Sequence, residues 1–121
     1  MTTYSLLCPT RSRAARAVEF AESALRTAKR PERLELLFYL DDNDPELESY
    51  YSGVDALKLR LAGAGNIQII EGPEVGVPRA TNALAYKSKS EIIMYTSDDQ
   101  VYIDHGWDSR LDQEVAKYPD R

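Results

Sequence analysis

Residues 34–46 read LELLFYLDDNDPE, and the way this stretch is built decides the fold. From Leu34 to Leu40 the side chains are apolar at nearly every position rather than at every second one. A strand with one wet face alternates, whereas a near-continuous apolar run of this length suits a strand covered on both faces. Polarity then reverses at once in Asp41-Asp42-Asn43-Asp44, so the chain turns there. Asp44 is a good N-cap for the next helix, Pro45 fits its first position, and Glu46 and Glu48 favour its positive end.

The same unit recurs on either side. YSLLC (4–8) reads as a short apolar strand ended by Pro9. A helix follows from about Ser12 to Lys29, with Ala14, Val18, Ala21, Leu25 and Ala28 at helical spacing and Arg13, Arg16, Glu22, Arg26 and Lys29 elsewhere; Pro31 closes it. The helix after Pro45 runs to about Leu61, weakened by Gly53. AGAGN (62–66) is a turn, IQII (67–70) a third strand and EGPEVGVP (71–78) a loop. RATNALAYKS (79–88) is a helix begun by Pro78, and EIIMYT (91–96) is the fourth strand. VYI (101–103) reads as a short fifth strand, and Trp107 to Lys117 as a last helix. Alternating strands and helices with buried strands predict a three-layer, Rossmann-like α/β fold: a mostly parallel sheet with helices on both faces.

Bulk properties set outer bounds. A chain of 121 residues is the size of one domain, read as 1–121. With 43% hydrophobic and 29% charged residues the composition is that of a globular protein. The longest apolar runs are far too short to cross a bilayer, and the N-terminus lacks a secretion signal. The single cysteine, Cys8, excludes an internal disulfide framework and fits a reducing cytoplasm; it reads as a buried structural thiol. A net charge of −5 argues against general nucleic-acid binding, although Arg11, Arg13 and Arg16 form a local cluster that suits one phosphate group.

In open parallel sheets ligands bind beyond the carboxyl ends of the strands. The ends of the first, second and fourth strands carry Pro9-Thr10-Arg11, Asp41-Asp42-Asn43 and Ser97-Asp98-Asp99. Three polar clusters distant in sequence are therefore expected on one edge. Asp98 and Asp99 offer half a site for Mg²⁺ or Mn²⁺, which favour carboxylate and phosphate oxygens. A diphosphate would complete the coordination, Arg11, Arg13 and Arg79 could pair with phosphate, and Asp42 could accept a hydrogen bond from a base or sugar. Each group also has an ordinary reading: a solvated acidic loop, a turn with its helix cap, a solvated helix face, and for His105 a surface histidine rather than a metal ligand. Convergence on one edge favours the functional reading of the set.

Taken in order, these segments resemble the GT-A type nucleotide-sugar glycosyltransferases, family 2 in particular. SLLCPTRSR is similar to their opening strand, LELLFYLDDNDPE to their second, and VGVPRATNALAYKSKSEIIMYTSDDQVY to the segment leading into their Asp-x-Asp motif. The resemblance covers nearly the whole chain. It implies that Pro9 and Thr10 line the nucleotide pocket, that Asp42 recognises the base (uracil through its imide N–H), and that Asn82 starts the flanking helix. Ser97, Asp98 and Asp99 would occupy the Asp-x-Asp positions, with Asp98 facing the ribose or sugar and Asp99 holding the Mn²⁺ or Mg²⁺ that bridges the diphosphate. Ser97 stands where the pattern has its first Asp, and Arg79 lies two positions before the usual Arg. Family members continue into a region carrying the acceptor site and the general base, so the chain reads as a minimal or C-terminally shortened version. Asp104 and Asp108 are candidates for the base, against their reading as turn and cap residues.

The expected function is metal-dependent transfer of a sugar from a nucleoside diphosphate, a UDP-sugar, to an unknown acceptor: glycan, protein or small molecule. The main rival is a non-catalytic nucleotide-sugar-binding or regulatory module, and a second copy of the chain is a further possible partner. A receiver-like phosphoacceptor domain is the third reading. It needs an accessible lysine late in the sheet, whereas Lys117 lies on the last helix.

Overall fold

The computed structural model describes residues 2–61 and 64–118. Its strands are β1 (Tyr4–Thr10), β2 (Leu34–Asp41), β3 (Ile67–Gly72) and β4 (Ile92–Tyr95). Its helices are α1 (Ala14–Thr27), α2 (Leu47–Arg60), α3 (Val77–Lys87) and α4 (Trp107–Val115), with short 3₁₀ turns at Pro31–Arg33 and Ala64–Asn66. The four strands form one sheet in the order β3-β2-β1-β4, and every pairing is parallel. The fold is thus α/β and Rossmann-like, as the alternation predicted.

The apolar run of β2 is split between two cores, which is why it does not alternate. Leu34, Leu36, Phe38 and Leu40 join Tyr4, Leu6 and Cys8 of β1 beneath Phe20 and Ala21 of α1 and Tyr50, Val54 and Leu57 of α2. Trp107, Leu111 and Val115 bring α4 onto the same side. Leu37 and Tyr39 face the other way, with Leu7, against Ala80 and Leu84 of α3. Gly53 serves packing: a Cβ there would come within 2.7 Å of a Val18 methyl, so glycine lets α2 lie close on α1.

The structure departs from the sequence reading in three places. Pro9 does not end β1, which continues through Thr10. The Leu7 carbonyl accepts from Thr96, so in a parallel ladder Leu7 and Pro9 both address β4, and that pairing stops at Leu7–Tyr95. The N–H that Pro9 lacks therefore removes no bond to β2. Asp44 is not the cap of α2, which begins at Leu47. Its buried carboxylate takes the N–H groups of Ser12 and Glu46, both at 2.8 Å, and Glu46 accepts the Ala14 N–H at 3.0 Å. Acidic residues read as belonging to α2 thus serve the start of α1, where Ser12 adopts a left-handed φ of 53°. Residues 101–103 are not a strand: the Tyr102 N–H goes to Ser23 Oγ and its ring packs on Phe20 and Trp107, so the segment crosses α1 instead. The AGAGN turn falls partly outside the described residues, and its last three form a 3₁₀ turn.

At the amino edge of the sheet, Asp108 is fully buried and accepts from the N–H groups of Lys29 and Arg30 and from Arg33, whose side chain is 3% exposed. Burial alone would push the Asp108 carboxyl up, but these donors outweigh it and hold it below the usual carboxylate range. A carboxyl depressed in the folded state stabilises fully above its unfolded value of about 3.9, and that contribution fades as pH falls through the folded value. Acid titration of the thermal midpoint should accordingly show stability declining below about pH 4. Asp108→Ala leaves Arg33 with Asp112 as its remaining carboxylate partner and the Lys29 and Arg30 N–H groups without their acceptor; it should cost about 1–3 kcal/mol or more in urea unfolding at neutral pH.

Candidate functional site

Parallel register brings the carboxyl ends of β1, β2 and β3 to one edge: Thr10 lies opposite Leu40, and Asp41 opposite Gly72. Side chains alternate along β2, so Asp41 shares the face of Leu37 and Tyr39, toward α3. A cavity of about 240 Å³ opens there, lined by Pro9, Thr10, Arg11, Tyr39, Asp41, Glu74, Gly76, Val77 and Ala80. The start of α3 borders it, at Gly76 with φ of 85°, a conformation that favours glycine. At the rim, Arg11 donates to Asp41 at 2.8 Å and to Asn43 at 2.7 Å, and Asn43 donates to Glu74 at 3.0 Å.

Thr10 links this cavity to the acidic pair. Its hydroxyl donates to Asp98 Oδ2 at 2.6 Å and lies 2.8 Å from the Tyr50 hydroxyl, which accepts the Arg13 N–H at 3.0 Å. The second oxygen of Asp98 lies 3.6 Å from the Arg13 guanidinium. Asp98 is therefore buried and committed on both oxygens, while Asp99 is exposed and engaged by the Ser97 hydroxyl on one of its two. That hydrogen bond, with the nearby charges of Arg13 and Arg16, holds Asp99 below the usual carboxylate range. A second cavity of about 260 Å³ lies against Asp98 and Asp99, bounded by Arg16, Glu19 and Val101.

The edge therefore unites Pro9, Thr10, Arg11, Arg13, Ser97, Asp98 and Asp99. Other expected residues lie elsewhere. Asp42 is exposed outside the cavity, its N–H bonded to the Gly72 carbonyl, and Asp41 takes the inward position instead. Arg79 and Asn82 are exposed on α3 and line neither cavity; Asn82 follows the buried Ala80 by two residues, about 200° around a helix. Asp104 is exposed and pairs with Arg110 at 3.2 Å, and the Gly106 N–H bonds Thr27 at the far end of α1. Asp104 and His105 are thus carried toward the amino edge, away from Asp99. Asp108 lies at that edge too, inside its ion pair with Arg33, which fits it for structure rather than proton transfer.

Sequence reasoning passed over Tyr39 and Asp41 as cavity residues, although the two-residue period of β2 counted from Leu37 would have found them. Tyr50 and Glu19 carried no such signal, because their roles depend on how helices pack.

Among the described residues no group of three or more His, Cys, Asp or Glu side chains is arranged to hold a cation. With both Asp98 oxygens engaged, the donor set fits a hard cation only as a half-site: Asp99 on the protein side, phosphate oxygens on the other.

No protein-family model matches the sequence, and no curated protein matches it. Solved structures do match in fold. The mannosyltransferase PcManGT of Pyrobaculum calidifontis, solved with GDP-Man and Mn²⁺, superposes with a TM-score of 0.77 over 98% of this chain and 33% of its own, at 16% identity. S. aureus TarS 1–349 gives a TM-score of 0.74 at 13% identity over 96% of this chain. Its complex with UDP-GlcNAc gives the same score over 32% of the TarS chain. The chain spans about a third of the length of these structures. The likeness establishes the GT-A type fold. No helix among the described residues is long and apolar enough to cross a membrane.

Cys8 lies in the core just below this edge, and burial, reinforced by the charge of Asp98, pushes its thiol up to about 12. A thiol so protonated and enclosed should resist a disulfide reagent in the native protein and react at once in urea. Rapid native labelling would show that the edge opens to solvent.

Proposed function

We propose that this chain binds a nucleoside-diphosphate sugar across its carboxyl edge and serves a glycosyltransferase reaction, with a UDP-sugar as donor. The observation that carries the reading is Thr10, which lines the larger cavity and also hydrogen-bonds Asp98 beside Asp99. One residue thus joins a half-apolar pocket fit for a base to an acidic tip fit for a diphosphate and its cation. The fold shared with proteins solved with UDP-GlcNAc and with GDP-Man and Mn²⁺ supports the same assignment.

In this reading the base lies against Pro9 and Tyr39, and Asp41 accepts the uracil imide N–H, with Asp42 left at the rim. Binding there displaces part of the Arg11–Asp41 contact and frees Arg11 to meet a phosphate. Arg13 and Arg16 flank the diphosphate. Asp99 would hold Mn²⁺ or Mg²⁺, which when bound neutralises charge on the departing nucleoside diphosphate. Transfer also requires a base to take the proton of the acceptor hydroxyl as its oxygen replaces the diphosphate at the sugar carbon. Asp104 and Asp108 do not meet that geometry. Their placement favours a second reading, a donor-binding module that relies on residues beyond these for transfer.

Titration calorimetry with UDP-GlcNAc, UDP-glucose and GDP-mannose in Mn²⁺ tests the proposal. A UDP-sugar should bind, Asp41→Ala should weaken it about tenfold or more through loss of a charged hydrogen bond, and Asp99→Ala should abolish the Mn²⁺ dependence. Absence of heat with all three donors would sink the idea. Nucleotide release on incubation, lost in Asp99→Ala, separates enzyme from binding module.

A further inference from the structure

Four side chains from three segments close a ring at the rim of the larger cavity. Arg11, just after β1, donates from one guanidinium nitrogen to Asp41 Oδ2 at 2.8 Å and to Asn43 Oδ1 at 2.7 Å, so both protons of that nitrogen are engaged. Asn43 donates in turn to Glu74 Oε1 at 3.0 Å, and that oxygen lies 3.7 Å from the Arg11 guanidinium. Arg11, Asp41 and Glu74 all line the cavity, so the ring ties the ends of β1 and β2 to the loop after β3. Its members differ in freedom. The loop is held from beneath, where the Tyr39 hydroxyl donates to the Pro73 carbonyl at 2.7 Å; Gly72 leaves room for that hydroxyl, which a Cβ would strike. Arg11 is a long side chain, 45% exposed, and is the member free to swing away.

We propose that Arg11 is a latch that selects ligands by their phosphate: it occupies Asp41 while the edge is empty and yields it to a ligand that offers the guanidinium a diphosphate. The inference rests on the donor reading of this edge and adds to it a discrimination between nucleoside and nucleotide. A carboxylate oxygen that already takes a charged donor is a weaker acceptor for a second one. Uridine is neutral, so it either shares Asp41 with Arg11 or turns Arg11 out to water with no partner in exchange. UDP brings phosphate, which a guanidinium pairs with as well as it does with carboxylate. The exchange leaves Asp41 to the imide N–H and Arg11 to the diphosphate, with every charge met. Capture of the phosphate therefore strengthens capture of the base, a coupling between the two halves of one ligand.

Titration calorimetry with uridine and with UDP, both in Mn²⁺, reads the latch, and circular dichroism checks the fold of each variant. Arg11→Met should bind uridine about fivefold more tightly than the wild type, the scale of a partly exposed ion pair. It should bind UDP about tenfold more weakly, through loss of a charged hydrogen bond to phosphate. Asn43→Ala removes one Arg11 acceptor and keeps the guanidinium, so it should tighten both ligands by about threefold. Salt screens the ring, so wild-type affinity for neutral uridine should rise with salt, and the rise should vanish in Arg11→Met. A wild type that binds UDP while Arg11→Met leaves uridine affinity unchanged or lower overturns the latch and leaves the donor reading standing. A wild type that takes up neither ligand overturns the donor reading itself, and the latch with it.

Discussion

The hydroxyl of Thr10 fixes the geometry on which the carboxyl edge depends. Its single proton goes to Asp98, so the proton between Thr10 and Tyr50 must come from the tyrosine, and the Tyr50 oxygen in turn accepts the Arg13 N–H. One directed chain therefore runs Tyr50 to Thr10 to Asp98, tying α2, β1, the start of α1 and the loop after β4. Bonds in such a chain polarise one another, and all three side chains are buried, where a missing partner would be costly. The adjacent carboxylates repel least when one is neutralised inside and the other left to solvent, which is the arrangement found. Asp98 anchors the loop and Asp99 is left available.

Around that anchor, charge is arranged so that the edge is not simply acidic. Asp41 and Asp98 each have an arginine from the β1–α1 connection beside them, Arg11 and Arg13, and Arg16 adds its charge near Asp99. Asp44 and Glu46 meanwhile occupy the positive start of α1. The acidic residues are thus largely committed, and the arginines are more than one-third exposed. In the proposed function a diphosphate would meet cations already placed by carboxylates it can partly replace, which would lower the reorganisation that binding requires.

The layered fold was legible because burial on both faces leaves a mark in every residue of β2, and because helical spacing in α1 is independent of its neighbours. The convergence of three strand ends was legible for the same reason: parallel order alone puts Thr10, Asp41 and Asp98 on one edge. The choice between Asp41 and Asp42 turned on the face of a strand, a signal present in Leu37 and Tyr39, four and two residues before Asp41. Asp44 was misread because a capping carboxylate looks the same whichever helix it serves; only tertiary packing gave it to α1. Tyr102 shows the same limit, since its β-prone neighbours cannot reveal that Ser23 captures its N–H. Asp104, Asp108 and His105 seemed close to Asp99 by sequence distance, yet the chain crosses α1 between them and ends at the other edge.

That crossing divides the molecule by purpose. The amino edge closes on Arg33 and Asp108 with every buried charge met, whereas the carboxyl edge leaves cavities, an exposed Asp99 and partly exposed arginines. A domain gains stability by completing such groups, so leaving them incomplete at one end only is consistent with a ligand that completes them. The short strand β4 belongs to both tendencies. It is anchored to β1 on one side and ends at the Asp98 anchor, and among the described residues β1 is its one partner strand.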